Sequence, residues 1–283
     1  VNYPLCENPG DLTGVGQDMG MHLQRLFNEH NLGPVPHPHV RFGQIDDDHL
    51  AVLEKMKPEV VSFHFGLPHD HVIDAIKAVG IFVVCTATTV AEAKLLEARG
   101  VDAIIAQGTE AGGHRGTFSG VDVTMQPGLS SLLPQVVDAV GVPVIAAGGI
   151  SDRRGVAAAL ILGASAVQLG TAFLRCDEAN VAHQHRNALS RANDVSTVIT
   201  DVMTGRPARF IRNRLIDELS SNSLSPLPFP AQADLTQPLE NTGDHEFMSL
   251  YAGQSVALTR DMPASELVAL LAEETSNCLR SFS

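Results

Sequence analysis

The chain has 283 residues, of which 44% are hydrophobic and 18% are charged, with 24 glycines and 16 prolines. This composition is typical of a folded globular protein and excludes collagen-like, coiled-coil and disordered chains. The formal net charge of −13 opposes general binding to nucleic acid or to an anionic membrane. Residues 155–174 are long enough to span a bilayer, but glycine and polar residues interrupt them, so we interpret them as a helix followed by a strand.

Short apolar runs predict parallel strands that are buried on both faces. They occupy residues 60–65, 81–85, 103–106, 144–147 and 166–169, and residues 1–5 could add a strand before them. An amphipathic helical segment lies in every interval. One follows His69 and Asp70, and another begins at the capping box Thr89-Val90-Ala91-Glu92. This alternation of strands and helices predicts an α/β fold.

A parallel sheet of this kind can close into a TIM-type (β/α)₈ barrel or remain a doubly wound sheet, and in both a ligand binds at the carboxyl ends of the strands. We expect the barrel, because the alternation continues past the midpoint without a topological switch. Polar helices, a Pro- and Ser-rich stretch and a final helix follow the last strand. We therefore divide the chain into a barrel over residues 1–176 and a helical extension or lid over residues 177–283.

Cysteine and histidine spacing indicates neither a disulfide scaffold nor a metal centre. The four cysteines form no Cys-x-x-Cys pair, which fits a reducing cytoplasm. His-x-His groups at residues 37–39, 69–71 and 183–185 have no third ligand at a convincing spacing, so solvated loops and helix starts are the better interpretation. His64 lies inside an apolar strand, where a hydrogen-bonded structural role is favoured over catalysis. Cys85 is interpreted as a small core residue.

Glycine-rich turns after three strands could hold a ligand. Gln107 to Gly116 follow one strand and include Gly112, Gly113 and His114, whose imidazole is a candidate general base. The alternative is a flexible surface turn with an incidental histidine. Gly148-Gly149 and Gly170 end later strands, where backbone N–H groups often hold phosphate, although they could equally be tight turns.

Six segments together resemble the FMN-dependent nitronate monooxygenases, formerly called 2-nitropropane dioxygenases. The glycine-rich His motif and the QLGT motif are specific to this flavin barrel superfamily, which also includes flavin-dependent enoyl-ACP reductases. The segments are VVSFHFGLP (60–68), TATT (86–89), AQGTEAGGHRG (106–116), VIAAGGI (144–150), QLGTAFL (168–174) and LYAGQ (250–254).

The resemblance implies a role for individual residues. It makes His114 the active-site base beside the flavin. It places Asn2 and Gln107 against FMN, although a strand-end turn or a loop-capping side chain would explain them equally well. The remaining FMN contacts that it implies are Gly112 near the isoalloxazine ring, and Gly149, Gln168, Leu169, Gly170 and Thr171 at the ribityl phosphate. Tyr251 and Gln254 could line the pocket or simply pack.

The reaction implied by the resemblance is the oxidation of alkyl nitronates, or nitroalkanes, with O₂ to carbonyl compounds and nitrite, without a metal. Nothing in the chain matches the family's first two strands, so we expect that the first two βα units are missing from this sequence. A homodimer is compatible with this interpretation. Two alternatives stay open: an NAD(P)H-dependent enoyl thioester reductase that uses FMN, and a non-catalytic binding protein derived from the barrel.

Overall fold

The structure is a computed structural model that describes residues 1–5, 17–38, 45–221 and 224–281. Within these ranges none of the helices has the length and apolar character needed to cross a membrane. In chain order the elements are β1 (Asn2–Pro4), α1 (Gln17–Glu29), α2 (Asp47–Met56), β2 (Val60–His64), α3 (Asp70–Ala78), β3 (Phe82–Ala87), α4 (Val90–Ala98), β4 (Ala103–Gln107), β5 (Gly113–His114), α5 (Leu129–Ala139), β6 (Val144–Ala147), α6 (Arg153–Ile161), β7 (Ala166–Gln168), α7 (His183–Arg191), β8 (Thr197–Thr200), β9 (Ala208–Ile211), α8 (Arg214–Ser221), α9 (Ala231–Glu240) and α10 (Ala264–Arg280).

Six parallel strands form the main sheet in the order β1-β2-β3-β4-β6-β7. Each predicted apolar run is one of these strands, and residues 2–4 supply the additional edge strand, so the α/β prediction is confirmed. In β4 successive side chains alternate between two apolar clusters: Ile104 packs under the covering helices, and Ile105 packs with Val84 on the opposite face. The strands are apolar throughout because both of their faces are buried.

The helix signals in the sequence correspond to real helix ends. The Thr89 side chain accepts a hydrogen bond from the Glu92 N–H at 3.2 Å, which caps α4, and Gly100 follows its last turn with φ +79°. The Glu92 carboxylate does not complete the capping box at the Thr89 backbone. It is buried and accepts hydrogen bonds from Thr88 and from the 117–119 segment, which ties the loop after β5 to α4.

The glycine-rich loop after β4 forms a small sheet with strands from the carboxyl-terminal part of the chain. Its short strand β5 pairs antiparallel with β9, and β9 pairs with β8, forming a second sheet. We did not predict β8 and β9, because we expected only helices beyond residue 177. Helix α1 packs with this region in one apolar cluster that includes Leu23, Phe27 and Leu235. The division of the chain at residue 176 stays a prediction.

Helix α10 returns to the main sheet and packs against α6. Leu267 and Leu271 of α10 share a cluster with Ala172 and Cys176, which follow β7. The extension therefore covers the side of the β7 region as well as the loops at the carboxyl ends of the strands.

Candidate functional site

A narrow cleft lies at the carboxyl ends of three neighbouring strands, β4, β6 and β7, which end side by side in the sheet. Gln107 of β4 is paired with Ala147 of β6, and Ala147 with Gln168 of β7. The cleft encloses about 100 Å³. Its described lining contains no charged side chain: Gln107, Ala111, Gly112, Ala147, Gly148, Gly149, Ile150, Gln168, Gly170, Thr171, Gly253 and Ser255. We call this site the glycine cleft.

The backbone of the glycine cleft presents unpaired N–H groups. Among the described residues, the N–H groups of Gly149, Gly170 and Thr171 have no hydrogen-bond acceptor. Gly149 has φ +68°, a conformation that a residue with a Cβ atom rarely adopts. A Cβ atom added to Gly170 would meet no protein atom within 4 Å, so open space lies beside it. Clustered free N–H groups in such turns form sites for anions.

The volume and chemistry of the cleft fit the phosphate end of a flavin nucleotide. Small-molecule sites usually enclose at least roughly 300 Å³, so this cleft is too small for a whole FMN. Thr171 Oγ1 accepts a hydrogen bond from the Gly253 N–H at 2.9 Å, and its own proton stays available for an acceptor such as a phosphate oxygen. The nearby Glu110 carboxylate is bonded to the Leu129 N–H, so its charge is engaged at the start of α5.

Two buried arginines fix the loop that borders the cleft. The Arg115 side chain is fully buried and donates to the carbonyl oxygens of Gly108, at 2.6 Å, and Gln107, at 2.8 Å. Its Nε donates to Gln126 at 2.9 Å. Arg209 of β9 donates twice to the Thr109 carbonyl oxygen. Burial, together with the charge of Arg209, lowers the pKa of Arg115 to about 10, so the guanidinium remains charged at neutral pH.

His114 lies beside the cleft inside an aromatic cage, which we define as Phe65, Phe229 and Tyr251. The ring centroids lie 5.9, 5.1 and 5.7 Å from the imidazole, respectively. Gln107 lines the cleft and donates from Nε2 to the His114 carbonyl oxygen at 3.1 Å. The imidazole and the glycine turns therefore occupy the same end of the sheet.

The environment of His114 keeps its ring neutral. Burial, and secondarily the positive charge of Arg206, lowers the pKa of His114 to about 4. The Arg206 guanidinium lies 3.8 Å from the centroid of the Phe65 ring and donates to the Thr117 carbonyl oxygen. Burial also raises the pKa of Tyr251 to about 12, so this phenol is neutral as well. At neutral pH the imidazole can accept a proton but carries no charge.

A second cavity shares two walls of the aromatic cage. It encloses about 610 Å³ and is lined by Phe65 and Phe229 together with Phe118, Arg206 and Pro228, among others. Asp122 and Asp201 also line it, so it offers an access route of mixed polar and apolar character toward the imidazole. We call it the aromatic cavity.

The structure brings together most of the residues predicted for the site. Gln107, Gly112, Gly149, Gln168, Gly170 and Thr171 all line the glycine cleft. Leu169 does not, because its side chain packs into the apolar clusters beside α6. Asn2 lies at the edge strand β1, where its Oδ1 accepts from the Ser62 hydroxyl at 3.0 Å, and it does not line the cleft. These FMN contacts stay predictions.

Two of the predicted residues also have a purely structural explanation. Gln107 uses both ends of its amide within the loop, since its Oε1 accepts from the Gly116 N–H at 2.8 Å while Nε2 bonds His114. A Cβ atom at Gly112 would lie 2.5 Å from the Gly253 nitrogen, so this glycine allows two backbone segments to touch.

Several residues of the site were missed by the sequence analysis. Thr204 and Arg206 follow β8 and Phe229 lies before α9, in regions where we expected only helices and a Pro- and Ser-rich stretch. The LYAGQ segment was noted, and Tyr251 does contact His114, but Gly253 and Ser255 line the cleft while Gln254 is exposed. No local pattern marks a side chain that reaches a site only through tertiary packing.

His64, His69, His71 and Cys85 line neither the glycine cleft nor the aromatic cavity. His64 Nδ1 is 2.7 Å from the Thr86 hydroxyl, and burial lowers the pKa of His64. Burial raises the pKa of the Cys85 thiol to about 12, which makes it a poor nucleophile. His69 and His71 stack on each other, whereas His39 falls outside the described residues. Within the described ranges, no group of three ligating side chains could hold a metal ion.

The family profile and the curated relatives that match this chain are nitronate monooxygenases. A family profile described as nitronate monooxygenase matches residues 27–274. A nitronate monooxygenase of Pseudomonas aeruginosa is 40% identical over 278 residues, which is 95% of this chain and 79% of the relative. A probable nitronate monooxygenase of Staphylococcus saprophyticus is 42% identical over 80% of this chain, and the chain spans 65% of that relative's length.

A solved structure supports the fold assignment. The crystal structure of a nitroalkane oxidase from Streptomyces ansochromogenes matches with a TM-score of 0.90 and 39% identity, over 100% of this chain and 82% of that one. The prediction of a TIM-type barrel is thereby confirmed. Six strands of that architecture lie within the described residues of this chain.

Proposed function

The chain belongs to the nitronate monooxygenase family, a family of flavin-dependent oxidoreductases, and from this premise we propose that it oxidises alkyl nitronates with FMN and O₂. The products are a carbonyl compound and nitrite. The observation that carries the proposal is a neutral, partly buried imidazole next to a glycine cleft with free backbone N–H groups, where Gln107 lines the cleft and donates to the backbone carbonyl oxygen of His114. Cytoplasmic location and homodimeric assembly stay predictions from the sequence.

The glycine cleft would hold the phosphate of FMN. The N–H groups of Gly149, Gly170 and Thr171 and the Thr171 hydroxyl are the donors that a phosphate requires. The absence of charged side chains in the described lining leaves the anion to these dipoles. FMN, when bound, supplies the electron acceptor for the nitronate carbon and the route for electrons to O₂.

His114 would act on substrates that arrive as neutral nitroalkanes. With its pKa lowered to about 4, the imidazole is present as a free base at neutral pH and can take the proton from the carbon beside the nitro group. A preformed nitronate needs no such step and requires mainly orientation and exclusion of water. Phe65 and Phe229, which line both the aromatic cavity and the cage, suit an alkyl substituent and displace water from the imidazole.

Anaerobic mixing of the FMN-reconstituted protein tests this function. Loss of the oxidised-flavin absorbance on addition of a nitronate, but not of NAD(P)H, is the expected result. Bleaching by NAD(P)H alone would instead indicate an enoyl thioester reductase. A purified protein that stays colourless after reconstitution with FMN would contradict a flavin enzyme of either class.

A further inference from the structure

The side chain of Thr204 is the hydrogen-bond partner of His114. Thr204 lies between β8 and β9 and is only 4% exposed. Its Oγ1 is 2.9 Å from His114 Nε2 and 3.1 Å from the carbonyl oxygen of Arg206. The Thr204 hydroxyl has one proton and two partners, the imidazole and the Arg206 carbonyl oxygen. Which of them receives that proton decides which nitrogen of the neutral imidazole carries a hydrogen.

The hydroxyl proton belongs on the Arg206 carbonyl. A carbonyl oxygen can only accept, so the 3.1 Å contact between Thr204 Oγ1 and the Arg206 carbonyl oxygen is a hydrogen bond only when Thr204 donates. If Thr204 donates there, its oxygen is left to accept, and His114 must then donate from Nε2. Nδ1 of the neutral ring is consequently the unprotonated nitrogen.

Nδ1 is placed where a base can act. It has no hydrogen-bond partner within the described ranges, and it is not among the fully enclosed unsatisfied atoms found there. The nitrogen therefore faces accessible space. Among the described side chains around the ring, Arg206 is charged and lowers the pKa of His114, and the ring centroid of the titratable Tyr251 lies 5.7 Å from that of the imidazole.

We propose that Thr204 is a positioning residue that holds His114 as the Nε2–H tautomer and so presents Nδ1 to the substrate. The catalytic part of this inference rests on the function proposed above. In the proton transfer, the α C–H bond of a neutral nitroalkane breaks and the proton passes to Nδ1. The electron pair of that bond forms the C=N bond of the nitronate, and the nitro oxygens take the negative charge.

Neighbouring elements keep the Thr204 turn rigid. Two buried side chains of α9 bond its backbone: Gln232 Nε2 donates to the Val202 carbonyl oxygen at 2.8 Å, and Thr236 Oγ1 donates to that of Met203 at 2.9 Å. Gly205, with φ +85°, packs so closely that an added Cβ atom would lie 2.1 Å from the Leu227 oxygen. The turn therefore cannot drift away from the imidazole without breaking buried contacts.

Nitrogen NMR of the protein labelled with ¹⁵N-histidine reads the tautomer directly, without substrate. The His114 signals are identified by their loss in His114→Asn. We expect a protonated Nε2 and an unprotonated Nδ1 in the wild type and in Thr204→Ser, and a substantial Nδ1–H population in Thr204→Val. Thr259→Val is the matched control, because Thr259 is also buried and donates to a backbone carbonyl, that of Val256, at 2.7 Å.

Kinetics then connect the tautomer to turnover. A base with its proton on the wrong nitrogen loses most of its effect, so Thr204→Val should lower kcat for neutral nitroalkanes by roughly 10- to 100-fold. Turnover of preformed nitronates should change less, and Thr204→Ser should restore the wild-type ratio of the two.

Each measurement has a result that overturns the inference. A wild-type His114 protonated at Nδ1, or a Thr204→Val protein that keeps the pure Nε2–H tautomer, contradicts the tautomer assignment. The expected NMR result in a protein that does not oxidise nitronates would leave the positioning of His114 intact and refute the proposed function instead. Equal loss on both substrates would refute the link between Thr204 and proton transfer.

Discussion

The glycine cleft and the aromatic cage around His114 lie side by side but are built in different ways. The cleft is formed mainly by the turns that directly follow β4, β6 and β7, and its donors are backbone N–H groups together with the Thr171 hydroxyl. The cage takes Phe65 from the end of β2, Phe229 from the segment before α9, and Tyr251 from the segment after it. Its chemistry lies entirely in side chains.

This difference separates binding from reactivity. Backbone donors at strand ends depend on the sheet register and on a few glycines, so they should tolerate many changes in the extension. The lowered pKa of His114 depends on burial and on Arg206, which the extension supplies. Substitutions in the cleft should therefore change flavin retention, whereas substitutions at the cage should change proton transfer.

The largest effect is expected from His114→Asn. Removal of the base should lower kcat for neutral nitroalkanes by about 10²- to 10⁴-fold, with a smaller loss for preformed nitronates and unchanged FMN content. Steady-state kinetics on both forms of one substrate, with FMN quantified by absorbance, provide the measurement. His71→Asn is the control, since His71 is exposed on α3. Equal losses on both forms would show that His114 does not abstract the proton.

Arg115→Met tests whether the buried guanidinium holds in place the loop after β4, which contributes residues to the glycine cleft and carries His114. The substitution keeps side-chain bulk but removes the donors to the Gln107 and Gly108 carbonyl oxygens, so we expect unfolding to become easier by about 3 kcal/mol, with weaker FMN retention. Urea unfolding measures the change. Arg25→Met, which removes exposed ion pairs, should cost less than about 1 kcal/mol. Similar changes in the free energy of unfolding for the two variants would show that the Arg115 hydrogen bonds do not hold the loop in place.

Gly170→Val tests the cleft without disturbing the fold. Gly170 has φ −107° and free space around its missing Cβ atom, so valine fits the protein but occupies the space proposed for the phosphate. We expect FMN binding to weaken roughly tenfold or more, or at least about 1.4 kcal/mol, with an unchanged free energy of unfolding. Gly149→Val should weaken FMN binding and also lower the free energy of unfolding, because the φ of +68° at this position strains a valine. Normal FMN titrations of both variants would refute the phosphate site.

The smallest expected change concerns pH. Because the folded-state pKa of His114 lies near 4 and not at the ordinary 6.5, the imidazole remains a base as the pH falls through 6.5 and becomes protonated only near 4. The rate with a neutral nitroalkane should therefore stay nearly constant between pH 7 and about 5 and decline below that. A half-maximal rate near pH 6.5 would mean that burial in the cage does not lower the pKa of His114.

The same contrast explains what could be predicted. The apolar runs of β2, β3, β4, β6 and β7 are local signals, and so are the glycines that end them. The prediction that Gln107, Gln168 and Thr171 contact a ligand came from the resemblance to the nitronate monooxygenases. Thr204 follows a strand that we did not predict and carries no motif. Its importance comes from one hydrogen bond to a residue 90 positions earlier in the chain.

The resemblance to the nitronate monooxygenases assigned His114 the role of the base. Periodicity and glycine placement in the sequence were sufficient to predict the parallel sheet and the turns at the ends of its strands. They could do so because strand burial and backbone turns depend on neighbouring residues. The tertiary structure alone decided that β9 would pair with β5, that Phe229 and Tyr251 would enclose the imidazole, and that Thr204 would meet Nε2. Those contacts depend on the packing of distant segments, and burial by them sets the protonation state of His114.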